Sequence, residues 1–387
     1  MDATQRAGLL QRWSVVQAEL IPELGRETEA LTPRLMKLIH TLEWARIEEF
    51  VPGWQGVGRP PADRSALANG FVAKAVLGLT TTVALIERLS VDRALRRICG
   101  FPRWNKLPDE ATFSRAFAEF AASRLAERVH EAVIKAHLGA ELIGHISRDG
   151  TAIIARERPA KAVTPAVETS PATQAVLPVT MPAPAVPVTA LPAKRGRPRR
   201  GETREPKRTR IEQQRGQSLA QMLADLPRAC DRGTKCNAQG YKVSWNGYKL
   251  HIDTADCGVP VAAILSSASM HDSQAAIPLS HLTAARVTNL YDVMDAAYCS
   301  AELRAHCKDL GHVPLIDHNP RGGEKIEFDP AESVRYNERT VAERTNARLK
   351  DEFGGNAIWV KGNTKVMSHL MFGLLVLTVD QLMRLLQ

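Results

Sequence analysis

The sequence is poor in cysteine, has few aromatic residues and contains no long uninterrupted apolar run. Its six cysteines form no CxxC pair, which argues against a zinc site and favours reduced thiols. The first residues are polar and lack the apolar core of a signal peptide. The most apolar stretch, 367–386, is interrupted by His369, Asp380, Gln381 and Arg384, too often for a bilayer-spanning helix. We therefore expect a cytoplasmic protein with no membrane partner and a buried C-terminal helix.

The composition fits a globular protein with a polyanionic partner. The chain has 387 residues, of which 44% are hydrophobic and 24% charged, enough for two domains with a substantial core. The net charge is +9 and the isoelectric point about 9.4. Such an excess of positive charge permits binding to nucleic acid but does not establish it.

Residues 1–140 are predicted to form an all-helical N-terminal domain. Asp109 is a candidate N-cap. Residues 107–115 include Thr112, Ser114 and Arg115, which could contact DNA, while a packing or dimerisation role is an equal alternative. Apolar side chains recur every three or four positions in four segments, which indicates helices: 31–50, 64–89, 91–99 and 111–137.

A long insertion, at about 155–220, is expected to interrupt the second domain. Residues 157–193 consist largely of Pro, Ala, Val and Thr, a composition that indicates a disordered, partly extended linker. The stretch that follows, 194–215, holds ten Lys and Arg against three acids. Within it, Arg195 and Arg197 belong to an Arg-Gly-Arg-Pro run that resembles an AT-hook core. A basic linker that is held near DNA by charge alone is the alternative.

The most informative motif lies near the C-terminus, where Tyr336, Arg339, Glu343 and Lys350 follow a helix entry at Asp329-Pro330. Because an α-helix turns about 100° per residue, one continuous helix would gather these four side chains within an arc of about 60°. The simpler alternative is a surface helix with Arg339 and Glu343 as an ordinary ion pair.

This spacing resembles the signature of the DDE transposases of bacterial insertion sequences, in the branch marked by Tyr-Arg-Glu-Lys. The resemblance implies a ribonuclease-H-like α/β catalytic domain at 141–387, with a mixed five-stranded sheet and helices. It also implies two catalytic aspartates upstream, each at the end of a buried strand.

Strands and helices of the expected kinds are present in the expected order. An apolar strand, Leu142–Ser147, leads into Asp149, and His271-Asp272 resembles another recurrent pair of the family. Further strands are predicted at Tyr241–Thr254, Val259–Ala268, Asn289–Met294 and His312–Ile316, with helices near 272–286 and 299–309.

Asp149, Asp295 and Glu343 are therefore the candidate catalytic residues. The first and fourth strands of such a sheet are neighbours, so Asp149 and Asp295 would lie side by side, and the late helix would bring Glu343 over both. The alternatives are a turn-forming Asp149 before glycine, a loop cap for Asp295, and Asp292 in its place. Asp292 is three residues earlier and points to the opposite strand face.

The same three carboxylates are the candidate metal ligands. Cutting a phosphodiester needs an activated water and a stabilised leaving oxygen, which two Mg²⁺ ions roughly 3.5–4 Å apart provide. Hard cations prefer oxygen ligands, and Mn²⁺ is expected to substitute. The resemblance further implies that Arg339 and Lys350 contact DNA phosphates and that Tyr336 holds the terminal nucleotides.

The sequence thus favours the transposase of an insertion sequence, associated with the bacterial nucleoid. It would bind terminal inverted repeats and catalyse Mg²⁺-dependent cleavage and strand transfer on double-stranded DNA, as a homodimer. The alternatives are an inactive DNA-binding protein derived from a transposase, or a nuclease of the same fold without strand transfer.

Overall fold

A mixed six-stranded sheet forms the centre of the described part of the protein, and helices pack against it. The computed structural model describes residues 31–53, 57–58, 61–102, 106–159, 208–236, 239–320 and 323–386. Its strands are β1 (Leu142–Ile154), β2 (Asp231–Cys236), β3 (Lys242–Ala255), β4 (Pro260–Ser267), β5 (Thr288–Met294) and β6 (Val313–Ile316).

The strand order fits a ribonuclease-H-like sheet. Along one path it is β2-β3-β1-β5-β6, with β4 paired to β3. The β1–β5 and β5–β6 pairs are parallel, whereas β3 is antiparallel to β1, β2 and β4. As predicted, β1 neighbours β5, the fourth strand of the expected set.

Two features of the sheet differ from the prediction. The sheet has six strands, not five, because β2 pairs with the start of β3 from Asp231↔Gly247 to Cys236↔Lys242. The sequence of β2 has too few apolar residues to indicate a strand. In addition, β1 does not end at Ser147 but continues to Ile154, since Asp149-Gly150 pairs with β3 and forms no turn.

Thirteen α-helices occur within the described ranges. Two predicted segments are each divided into two helices, the first near Gly78 (φ 67°) and the second at Arg124 (φ 53°). The helices are α1 (Pro33–Ala45), α2 (Arg64–Val76), α3 (Thr82–Val91), α4 (Arg93–Ile98), α5 (Glu110–Ala122), α6 (Leu125–Leu138), α7 (Arg210–Gln214), α8 (Leu219–Asp225), α9 (Ser273–Ala284), α10 (Ala301–Asp309), α11 (Pro330–Asn337), α12 (Thr340–Glu352) and α13 (Asn363–Arg384).

The predicted insertion is shorter at its C-terminal end than expected. Residues before 220 are already helical and packed, because α7 lies at Arg210–Gln214 and the side chain of its Gln214 is buried. Gln214 donates a 2.8 Å hydrogen bond to the carbonyl of Gln274 at the start of α9. Residues 160–207, with most of the expected linker, lie outside the described part of the chain.

The predicted helix that carries the C-terminal motif is broken in two. α11 ends at Asn337 and α12 begins at Thr340. The entry of α11 is as predicted: Pro330 is its first residue, and the backbone N–H of Asp329 donates to Glu332 Oε2 at 3.3 Å. Tyr336 therefore lies on α11, whereas Glu343 and Lys350 lie on α12, so the single helical arc is wrong for Tyr336.

The C-terminal helix α13 is the centre of the hydrophobic core. It packs against α1, α2, α5, α6, α12 and β4. The ring of Phe372 lies 5.9 Å from that of Phe71 and 6.2 Å from that of Phe117, measured between centroids. The N-terminal helices and the sheet thus contribute to one core, and the domain boundary at 140 stays a prediction.

Helix α13 is also the one helix of the described residues that is long and apolar enough to cross a membrane. Its most apolar window is 78% buried inside the protein. Burial against the helices and β4 therefore accounts for its apolar composition, as expected for a core helix.

Candidate functional site

Two parallel strands bring Asp149 and Asp295 together. The β1–β5 register pairs Ser147 with Val293 and Arg148 with Met294, so the next residue on each chain is one of the two aspartates. Asp295 follows the end of β5, where its Oδ1 accepts a 2.9 Å hydrogen bond from the N–H of Ala297. Asp149 instead lies inside β1, opposite Ile252 of β3.

The two carboxyl groups are difficult to ionise. Burial raises the pKa of Asp149 to about 6, and the neighbouring charge of Asp295 contributes to the same shift. Arg339 and a 2.8 Å hydrogen bond from Asn346 Nδ2 oppose it. Burial also raises the pKa of Asp295. Arg339 supplies one positive charge beside two partly buried carboxyl groups. Their negative charge is therefore incompletely neutralised when both ionise, which favours binding of a further cation.

Glu343 lies on the first turn of α12 and is bound by Arg339. Arg339 Nη2 donates to Glu343 Oε1 at 2.7 Å, and the Glu343 side chain is 55% exposed. Among the residues that the structure describes, no three His, Cys, Asp or Glu side chains stand close enough together to hold a metal ion. The structure therefore joins Asp149 to Asp295, and Arg339 lies between this pair and Glu343.

Arg339 is the central cation of the site. Its charge partly offsets the burial that raises the pKa of Asp149 and Asp295, and its guanidinium carbon lies 5.9 Å from the ring centroid of Tyr336. Tyr336 is half-buried, with its ring 4.8 Å from that of Phe328. Arg339 thus keeps Tyr336 beside the acids although the helix is broken.

Lys350 lies on α12, two turns after Glu343. Burial and the nearby charge of Lys235 lower its pKa, while Asp149 opposes the shift. The influence of Asp149 means that Lys350 lies close enough to Asp149 for the two charges to interact. Asn346 lies between Glu343 and Lys350 in sequence and contacts Asp149 directly. One face of α12 therefore carries an acid, an amide and a cation, and the amide contacts Asp149 of β1.

Asp292 belongs to a different, buried network. Its Oδ2 lies 2.9 Å from His312 Nδ1, and its Oδ1 lies 3.9 Å from Arg148 Nη2. Burial alone would raise the pKa of Asp292, but His312 and Arg148 outweigh it and lower the pKa. Arg148 also forms two 2.7 Å hydrogen bonds with Asp253. Asp292 is thus committed to the ion network on the opposite face of β1 and β5.

Three polar residues near the acids were not predicted as members of the site. The sequence did not indicate Asn346 as a site residue, since an asparagine within a charged helix is common. Asp272 makes a 2.8 Å ion pair with Lys249, and its charge contributes to the raised pKa of Asp295. Asp317 follows β6, and its charge acts on Asp295 in the same sense. Both follow strands, the feature that could have identified them.

The predicted DNA contacts Arg195 and Arg197 lie outside the described residues. Of the N-terminal candidates, Arg115 Nη2 donates to Thr112 Oγ1 at 3.1 Å on α5. Asp109 is the N-cap of α5, as predicted, and its Oδ1 accepts a 2.8 Å hydrogen bond from the N–H of Thr112.

Two family models match separate parts of the chain. Residues 224–379 match the model described as a transposase DDE domain. This range includes Asp295 and Glu343 but not Asp149. Residues 25–119 match a transposase domain, DUF772. No curated protein and no solved structure matches the chain. The two matches support a DDE transposase that acts on DNA.

Proposed function

We propose that the protein is the transposase of a bacterial insertion sequence of the Tyr-Arg-Glu-Lys branch, and that it cleaves and joins DNA with Asp149, Asp295 and Glu343. The observation that carries this proposal is the placement of Asp149 and Asp295 next to each other on parallel strands, with Arg339 and Glu343 beside them. The expected substrates are the element's terminal inverted repeats and a target duplex.

The donor set fits hard divalent cations. All three proposed ligands are carboxylates, the group that Mg²⁺ and Mn²⁺ prefer. The pKa values of Asp149 and Asp295 are raised mainly by burial, and a bound cation would stabilise their ionised forms. When bound, two such ions would activate the attacking water and stabilise the leaving oxygen. Asp149 and Asp295 would hold them first, since their positions are fixed by the sheet.

Glu343 would complete the site after it separates from Arg339. Their contact is an exposed i,i+4 ion pair, which is worth about 0.3–0.5 kcal/mol. So small an energy does not prevent Glu343 from turning toward a divalent cation. A DNA phosphate is a natural new partner for Arg339, because guanidinium and phosphate form paired hydrogen bonds. Substrate binding and completion of the carboxylate site would then occur together.

The remaining site residues would position DNA. Lys350 faces Asp149 and would contact a phosphate near the cut, and Tyr336 would pack against the terminal nucleotides. Arg195 and Arg197 would add contacts to the DNA from the basic segment. Pairing of two element ends implies a homodimer in the active complex, and the natural location is the bacterial nucleoid.

The test is a cleavage and joining assay with DNA that carries the repeats flanking the gene. With Mg²⁺, we expect nicks at the element ends, followed by products in which those ends are joined to a target plasmid. Binding without any metal-dependent cutting would contradict the proposal and favour an inactive DNA-binding derivative. Cutting without joined products would favour a nuclease of the same fold.

A further inference from the structure

A basic pocket lies between the N-terminal helices and the segment that leads into α13. Its volume is about 510 Å³. Four cations line it, Lys74, Arg156, Lys361 and Lys365, and Glu110 is the one acid among the described residues of its wall. Such an excess of positive charge around a cavity favours an anionic ligand.

Lys74 is the most unusual member of this pocket. It lies on α2 and is only 8% exposed, yet its side chain makes no hydrogen bond or ion pair with any residue in the described part of the chain. Burial lowers its pKa to about 8. A largely buried lysine without an ionic partner is unfavourable, and an anion in the pocket would provide that partner.

The start of helix α3 forms another part of the wall. Thr80, Thr81, Thr82 and Val83 all line the pocket, and Thr81 Oγ1 caps the helix by accepting a 3.1 Å hydrogen bond from the N–H of Ala84. The N-terminus of an α-helix carries free N–H donors and partial positive charge, which suit a phosphate oxygen. It therefore adds to the attraction of the buried Lys74.

An exposed tryptophan completes the pocket. Trp359 is 49% exposed, and the guanidinium of Arg156 lies 4.5 Å from its ring centroid. Glu157 fixes the segment behind it, since it accepts hydrogen bonds from the Gly362 N–H at 3.2 Å and from the Tyr248 hydroxyl. An exposed aromatic ring beside cations is the combination that binds a nucleic-acid strand, through stacking and phosphate contacts.

We propose that this pocket binds a backbone phosphate of the DNA substrate, with Trp359 against the adjoining sugar or base. The inference rests on the proposed function and extends it to a second DNA contact away from the carboxylates. Arg156 follows Asp149 by seven residues, which limits their Cα separation to about 25 Å. Phosphates of one strand rise about 3.4 Å apart, so the contact falls within about seven base pairs of the cut.

The experiment measures binding to the element-end duplex over a series of salt concentrations without divalent metal. Lys361→Ala removes one exposed cation of the pocket, and Lys308→Ala, on the exposed surface of α10, removes the same charge elsewhere. A plot of log affinity against log salt has a negative slope. The magnitude of this slope should decrease by about 0.9 for Lys361→Ala and stay unchanged for Lys308→Ala. Trp359→Ala should weaken binding without changing the slope.

Lys74→Met separates a binding role from a structural one. Because it removes an unpaired buried charge, its melting temperature should equal or exceed that of the wild type while DNA binding weakens. Ethylation of one phosphate within about seven base pairs of the cut should weaken binding to the wild type but not to Lys74→Met.

Unchanged affinity and salt slope in both Lys361→Ala and Lys74→Met would overturn the pocket assignment. If the wild type binds but does not cut, the proposed function fails, while the salt series still decides the role of the pocket.

Discussion

Asp149 shows at the scale of one residue how the site differs from its sequence motif. Asp-Gly is typical of a turn, yet Asp149 lies within a paired strand and makes a hydrogen bond with Asn346. The family resemblance predicted that Asp149 and Asp295 lie side by side, because the first and fourth strands are neighbours in a ribonuclease-H-like sheet. It did not predict Asn346, since the contact depends on how α12 lies against β1.

Asp149→Asn should make the folded protein more stable at neutral pH. The pKa of Asp149 is raised from 3.8 to about 6, so between these values the folded state retains a proton that the unfolded chain has lost. Ionisation of Asp149 therefore lowers the free energy of unfolding as pH rises through this window, and the loss is complete above about pH 6. Removing the charge should raise the free energy of unfolding by about 1–3 kcal/mol at pH 7.

Urea unfolding at several pH values measures this effect. The gain of Asp149→Asn should shrink toward zero below about pH 3, where the carboxyl is protonated in both states. Asp351→Asn, at an exposed position of α12, is the control and should change little. A loss of stability for Asp149→Asn at pH 7 would contradict the electrostatic description of the site.

Arg148 neighbours Asp149 and supports the opposite face of the sheet. Its guanidinium neutralises the fully buried Asp253 and lies near Asp292. Arg148→Met would leave Asp253 as an unpaired buried charge, which should cost about 3–5 kcal/mol in the free energy of unfolding. Arg232→Met, at an exposed position of β2, is the matched control. Equal denaturation midpoints for the two variants would exclude a stabilising role of the network.

At the scale of elements, the strands were predictable where apolar residues dominate them. β3, β4, β5 and β6 all begin and end within one residue of their predictions. β2 was missed because most of its side chains are exposed, so its pairing with β3 leaves no apolar signature. The break between α11 and α12 was also missed, because the sequence there contains neither glycine nor proline and its backbone torsions remain helical.

Gly247 sets how closely β3 approaches β1, the strand that carries Asp149. Its φ is 152°, and a side chain there would stand 2.1 Å from the carbonyl oxygen of Ile153. Gly247→Ala should therefore lower the free energy of unfolding by about 2–4 kcal/mol. Gly240 also has a positive φ, but a Cβ added there would meet no atom within 4 Å. Gly240→Ala should therefore lower the free energy of unfolding by only about 1 kcal/mol.

Denaturation midpoints of the two glycine variants test this comparison. A Gly247→Ala protein as stable as Gly240→Ala would mean that β1 and β3 tolerate a wider separation than the structure indicates.

At the scale of the whole molecule, the helical part and the sheet share apolar contacts. The sequence predicted an N-terminal helical domain at 1–140, and helices do occupy its described residues. The sequence could not reveal how these helices pack, because an amphipathic pattern shows which face is buried but not against what. His130 illustrates the point: its Nε2 lies 3.0 Å from the Pro260 carbonyl oxygen and 3.1 Å from Thr378 Oγ1.

A fragment of residues 141–387 tests how independent the two parts are. Without the N-terminal helices, Phe372 and its apolar neighbours on α13 would be exposed to water. We therefore expect the fragment to aggregate or to lack a cooperative thermal transition, whereas the full chain should unfold in one transition. A soluble fragment with its own sharp transition would instead support the predicted domain boundary at 140.

The central claim is that Glu343 acts with Asp149 and Asp295, and a pair of exposed acids on α12 tests it most directly. Glu343 is bound to Arg339 and Glu352 to Arg348, each as an i,i+4 ion pair, so the two substitutions to glutamine disturb the helix similarly. The measurement is Mg²⁺-dependent cleavage of the element-end duplex in a single turnover. Glu343→Gln should abolish cleavage with end binding nearly intact, and Glu352→Gln should cut like the wild type. Full cleavage by Glu343→Gln would contradict the account.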